Sequence, residues 1–165
     1  MANNYMSVIH PKSVIGNNVR IYDFVNIYGP VEIGEGSVIG AFVEIQPGVK
    51  IGKNVKVSSH SFICTGVTIE DNVFLGHGVM FINDKFPKAV SEIGSPINAS
   101  DTNVIPTVIK KGASLGTGSI IMCGITIGSG AMVGAGSLVL KDVDSFNVVV
   151  GNPARYLRNL NNEVN

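Results

Sequence analysis

The segment Ile33-Gly34-Glu35-Gly36-Ser37-Val38-Ile39-Gly40-Ala41-Phe42-Val43-Glu44-Ile45-Gln46-Pro47-Gly48-Val49-Lys50-Ile51 places an isoleucine at every sixth residue. Followed outward, the same step lands on Ile9, Ile15, Ile21, Ile27, Val57, Ile63, Ile69 and Leu75. All twelve positions are branched aliphatics, ten of them isoleucine. Neither the 3.6-residue period of a helix nor the two-residue period of a strand requires that spacing. A short fixed repeat of this kind predicts an all-β chain wound as a parallel β-helix of hexapeptides.

With the aliphatic as position one, position five reads Ser13, Val19, Val25, Val31, Ser37, Val43, Val49, Val55, Ser61, Val67, Val73 and Val79. These small or β-branched side chains suit the corner of a narrow tube. Position two is often glycine (Gly16, Gly34, Gly40, Gly52, Gly76), which tolerates the backbone angles a corner needs. Three hexads close one coil of eighteen residues, and coils stack at roughly 4.8 Å, the ordinary inter-strand spacing. One coil alone cannot bury its aliphatic row, so several must stack.

The pattern stops after Val79-Met80-Phe81 and resumes at Ile109, Leu115, Ile121, Ile127, Val133 and Val139. The step from Leu75 to Ile109 is 34 residues, not a multiple of six, so the phase has slipped. The expected layout of a single domain over 1–165 is N-terminal coils 9–81, an inserted loop 82–107 and C-terminal coils 108–144, about six coils in all. Asn152-Pro153 reads as a helix start, with Asn as cap and Pro in the first turn. Tyr156, Leu157 and Leu160 fall on one helical face, which predicts a short C-terminal helix over 152–161 docked on the prism.

Composition narrows the partners. Hydrophobic residues make up 45% of the chain, but aromatics only 7%, with no Trp, as befits a thin aliphatic core. A formal net charge of zero gives no electrostatic footprint for nucleic acid or an anionic membrane. No apolar run is long enough to span a bilayer and no signal-peptide layout opens the chain, so a cytoplasmic location is expected, with Cys64 and Cys123 as free thiols. Gly116-Thr117-Gly118 and Gly134-Ala135-Gly136 lack the rest of a dinucleotide or phosphate-loop signature and read as coil corners. A metal site needs converging imidazoles. His10, His60 and His77 occupy positions two, four and three of their hexads and do not stack, so no metal is expected.

From Ile9 to about Arg158 the chain resembles the left-handed β-helix hexapeptide-repeat acyltransferases. The resemblance implies the handedness, which periodicity alone does not give, and it implies a homotrimer with acyl-CoA sites in grooves between neighbouring prisms. Many acetyltransferases of this group carry a His-Pro in the loop after the first coils, with that His as general base. Here the segment is Gly76-His77-Gly78-Val79-Met80-Phe81-Ile82-Asn83-Asp84-Lys85-Phe86-Pro87, and Phe86 stands where that His would be. The Phe-x-Asn-Asp-Lys-x-Pro form is similar to the N-acetyltransferases of nucleotide-linked 3-amino sugars. These act on UDP-2-acetamido-3-amino-2,3-dideoxyglucuronate or on dTDP-3-amino-3,6-dideoxyhexoses. Ser59-His60-Ser61-Phe62-Ile63-Cys64 and Thr68-Ile69-Glu70-Asp71-Asn72-Val73-Phe74 support the same placement.

The missing histidine suits an amine acceptor. A hydroxyl must lose its proton during attack and wants a base near pKa 7. An amine with a pKa of roughly 7.7–8.0 is already partly neutral and needs orientation instead. Asn83 is the expected orienting group, accepting a hydrogen bond from the amine. Asp84, Lys85 and His60 are expected at the sugar or nucleotide, and His77 is the fallback general base. Gly134-Ala135-Gly136-Ser137-Leu138-Val139-Leu140-Lys141-Asp142 and Gly151-Asn152-Pro153-Ala154-Arg155 resemble the family's late-coil and closing segments. The resemblance then implies Thr117 and Ala135 for the pantetheine of acetyl-CoA, and Lys141, Arg155 and Arg158 for its phosphates.

The expected activity is acetyl-CoA-dependent N-acetylation of a nucleotide-linked amino sugar for surface polysaccharide such as lipopolysaccharide, with UDP and dTDP both open. Two rivals stand beside it. One is an O-acetyltransferase using His77. The other is a non-catalytic structural prism, which the mixed outward positions Asn18, Glu32, Lys50, Lys53 and Glu70 disfavour.

Overall fold

A computed structural model describes residues 6–97 and 104–163. The backbone winds through strands of mostly two residues, which assemble into three sheets, one per face of a prism and parallel except for the last strand of the third. The first face stacks Val8–Ile9, Asn26–Ile27, Glu44–Ile45, Phe62–Ile63, Met80–Phe81, Ile120–Ile121 and Leu138–Val139. The second runs from Val14–Ile15 to Thr126–Ile127, and the third from Arg20–Ile21 through Asn147–Val150 to Arg155–Asn159. Register sets like on like: Ile27 on Ile45, Ile33 on Ile51, Ile121 on Val139. The parallel β-helix is therefore the observed fold. Beyond the eighteen hexads, two strands, Met80–Phe81 and Asn147–Val150, extend the stack.

Both inward columns are buried as the repeat requires: Ile39, Ile45, Ile63, Leu75 and Ile109 at position one, Val25, Val43, Val73 and Val79 at position five. The first coil is the exception. Ile9 and Ile15 remain 38% and 37% exposed because no coil lies beneath them.

The insertion is extruded between the first and second faces. Ile69 pairs with Ile51, eighteen residues back, but with Ile109, forty ahead, so twenty-two residues are looped out without breaking the register. Glu70 staples this seam, accepting from Lys110 Nζ at 2.9 Å and from the Lys111 backbone N–H at 2.9 Å. Those contacts hold its carboxyl below the usual carboxylate range. Of the expected insertion 82–107, residues 98–103 lie outside the described residues.

The tail differs from the helix expected over 152–161. Arg155–Asn159 is a strand, antiparallel to Asn147–Val150, and only Leu160–Glu163 turns, as a 3₁₀ helix. The last coil presents an unpaired strand edge, and pairing with it satisfies more backbone groups than an isolated short helix would. Tyr156 and Leu157 stay exposed rather than docking. Among the described residues no helix is long and apolar enough to cross a membrane.

Candidate active site

The candidate residues lie at the corners, and each corner is a column read at eighteen-residue intervals. At the corner between the second and third faces, Asn18, Gly36, Asn54, Asn72, Gly112 and Gly130 have positive φ. At the corner between the third and first faces, that position is taken by Phe24, Phe42, His60, Gly78, Gly118 and Gly136. We call these the asparagine corner and the aromatic corner. The loop corner, between the first and second faces, is where the insertion leaves.

His77 and His60 both lie on the aromatic corner. His77 Nδ1 is 2.8 Å from Ser59 Oγ, one coil below, which leaves Nε2 directed away from that contact. Its carbonyl accepts from Gly118 N–H at 2.8 Å, and Thr117 in turn accepts from Gly136 N–H at 2.8 Å. His77, Thr117 and Ala135 thus form one exposed column beside the glycines. A Cβ at Gly78, Gly118 or Gly136 would meet nothing within 4 Å, so this column borders open space, which we call the glycine slot. Its inner wall is tight: a Cβ at Gly76 would lie 2.5 Å from Thr117 N, and one at Gly116 2.5 Å from Ala135 N.

Asn83, Asp84 and Lys85 sit elsewhere, at the loop corner, across the Met80–Phe81 strand from His77. Asn83 is half-buried, and its side-chain amide has no hydrogen-bond partner among the described residues. Asp84 pins the loop, its Oδ1 accepting from the Phe86 N–H at 2.8 Å, while Lys85 and Phe86 are exposed. Lys141 and Arg155 come together at the C-terminal end, lining a cavity of ≈ 390 Å³ with Leu140, Asp142, Val143 and Ala154. Arg158 lies farther along the same tail strand, opposite Val148.

The candidates therefore fall into three groups on one chain: a slot with His60, His77, Thr117 and Ala135, a loop with Asn83, Asp84 and Lys85, and the C-terminal end with Lys141, Arg155 and Arg158. Reading the sequence in columns of six missed Ser59 and the Phe24–Phe42 pair. Reading it in columns of eighteen finds both, since 77 minus 18 is 59 and the series 24, 42, 60 is aromatic throughout. Cys64 and Cys123 are free and buried. Burial pushes the Cys64 thiol up to about 12, so it is protonated near neutral pH and is no nucleophile. Among the described residues no three His, Cys, Asp or Glu side chains converge to hold a metal.

The chain has relatives among known proteins. The bacterial transferase hexapeptide (six repeats) family model matches residues 12–47, 48–83 and 106–141, which between them bracket the extruded loop. The chain belongs to that family. It is similar to dTDP-3-amino-3,6-dideoxy-alpha-D-galactopyranose 3-N-acetyltransferase of Aneurinibacillus thermoaerophilus, 47% identical over 49 residues, 30% of this chain and 26% of that protein. It is also similar to the serine acetyltransferase of Buchnera aphidicola subsp. Schizaphis graminum, 32% identical over 90 residues, 54% of this chain and 34% of that one. The chain thus spans about a quarter to a third of these two relatives. Among solved structures, a mutant of AntD, an N-acyltransferase from Bacillus cereus in complex with dTDP and coenzyme A, superposes with a TM-score of 0.78. The identity is 25%, covering 88% of this chain and 83% of that one.

Proposed function

We propose that this chain is an acetyl-CoA-dependent N-acetyltransferase whose acceptor is the 3-amino group of a dTDP- or UDP-linked sugar destined for surface polysaccharide. It works as a cytoplasmic homotrimer. The observation that carries this reading is Asn83: a half-buried amide with no hydrogen-bond partner among the described residues, at the mouth of a loop whose family histidine is replaced by Phe86. The sugar N-acetyltransferase relative and the AntD complex support it.

Acetyl-CoA lies along the glycine slot, its pantetheine over Thr117 and Ala135 and its phosphates toward Lys141, Arg155 and Arg158. The Asn83 loop is on another corner of the same prism, and a trimer brings the loop of one protomer against the slot of its neighbour. Asn83 accepts a hydrogen bond from the acceptor amine and aims its lone pair at the thioester carbonyl. Nitrogen attacks carbon, the tetrahedral oxyanion collapses, and the carbon–sulfur bond breaks. The leaving thiolate takes the proton from nitrogen. Asp84 and Lys85 hold the loop and the sugar, and no acyl-enzyme forms.

A second reading keeps one specific support. If Ser59 Oγ accepts from His77 Nδ1–H, Nε2 is left as a base, which suits transfer to a hydroxyl and matches the serine acetyltransferase similarity. Thiol release from acetyl-CoA, with UDP- and dTDP-linked 3-amino sugars and with hydroxyl acceptors, separates the two. The N-acetyl reading expects turnover on an amine, with kcat lowered about 100-fold in Asn83→Ala through lost positioning. Turnover confined to a hydroxyl acceptor, abolished in His77→Ala and unaffected in Asn83→Ala, contradicts it.

A further inference from the structure

The aromatic corner holds a ladder that ends in mid-column. Phe24 and Phe42 stack with ring centroids 4.8 Å apart and planes 6° apart, and His60 continues the stack 4.9 Å from Phe42 at 21°. These spacings match the rise of the coil, so each ring is one rung per turn. All three rings are carried by residues in left-handed backbone, with φ of 61°, 59° and 63°. That conformation disfavours bulky side chains and suits glycine, which occupies the same position in the next three coils. The rings are also exposed: Phe24 by 47%, Phe42 by 52%. Neither local backbone preference nor burial accounts for three aromatic residues here. Strained residues kept against both trends concentrate at ligand sites.

The next rung above His60 is Gly78, where a side chain would meet nothing within 4 Å. The upper face of the imidazole is thus a flat shelf at the foot of the open slot, one residue along the corner from Ser59 and next to the coil that carries His77. Resting on the proposed function, we infer that this shelf takes the nucleobase of the acceptor, which stacks on His60 as the fourth rung of the ladder. The direction follows from the donor side. Thr117, Ala135, Lys141 and Arg155 all lie C-terminal of His77 along the prism, and His60 lies on the other side, so the adenine of coenzyme A is not the ring that meets it. In a nucleoside diphosphate sugar the base is separated from the sugar amine by a ribose and two phosphates. The shelf therefore need not adjoin the amine-orienting Asn83, and within one prism it does not.

The test uses the full-length protein, with dTDP and UDP as probes in titration calorimetry, comparing wild type, His60→Gly and His60→Phe. Base–aromatic stacking of ordinary strength predicts that His60→Gly weakens nucleotide binding about tenfold. Its melting temperature should hold or rise, because glycine suits φ of 63°. His60→Phe should retain binding within about threefold, since Phe42 already sits in this conformation one coil below. Unchanged affinity in His60→Gly overturns the shelf. So does loss of binding in both variants, or a drop in oligomer mass by light scattering in His60→Gly, which would make the ladder a contact between copies. If wild type binds neither nucleotide yet acetylates a non-nucleotide amine, the proposed acceptor class falls, and the shelf with it.

Discussion

The asparagine corner and the aromatic corner have the same backbone and different side chains. Each turns on a tightly approached glycine: Gly34, Gly52 and Gly128 in one, Gly40, Gly76 and Gly116 in the other, with the added Cβ 2.4–2.6 Å from the coil above. Each then places a residue at positive φ. In the asparagine corner that residue is Asn or Gly, the types that accept left-handed backbone, until Phe146 closes the column over Gly130. In the aromatic corner the column splits into three rings and three glycines. One corner shows what winding the tube demands. The excess in the other, a ring ladder that gives way to an open slot beside His77, is what winding alone leaves unexplained.

The comparison can be broken first at its shared part. Gly116→Val and Gly52→Val push a side chain onto backbone 2.5–2.7 Å away that cannot retreat without unstacking a coil. Both should lose about 3 kcal/mol or more in denaturant unfolding. Tolerance at either glycine would mean the two corners are not built alike. A smaller effect belongs to the asparagine corner alone, at the Glu70–Lys110 seam. Glu70 titrates below its ordinary value, so its contribution is present above about pH 4.5 and fades as pH falls through its lowered folded value. Both side chains are more than a third exposed, so screening leaves about 0.5 kcal/mol. Melts of Glu70→Gln should show that deficit at pH 7 and a progressively smaller one as the pH is lowered below 4.5. A deficit that persists in acid would mean the carboxylate charge is not what holds the seam.

Much of this was legible because the tube imposes its period on the chain. Ile9 through Leu75 give coils, faces and interior from one spacing, and the slip between Leu75 and Ile109 gives away the insertion. The tail was misread because Asn152-Pro153 is locally a good helix start, whereas its partner, the edge at Asn147–Val150, is a tertiary feature. The site was legible in composition more than in place. Asn83 and His77 are six residues apart in the chain, but the six-residue period itself puts them on different corners. Thr117 and Ala135, by contrast, share His77's column because each extra coil, inserted loop included, returns to the same corner.

The central claim is that the glycine column of the aromatic corner is a ligand slot and that of the asparagine corner is only a turn. Gly118→Phe and Gly112→Phe test it as a pair. Both glycines have positive φ, 68° and 72°, and neither added Cβ clashes, so both variants should lose a similar 1–2 kcal/mol, roughly the cost of an L-residue in left-handed backbone. Acetyl-CoA binding measured by calorimetry should fall at least about tenfold in Gly118→Phe, where the ring fills the slot, and stay at the wild-type value in Gly112→Phe. Equal binding by the two variants would contradict the account.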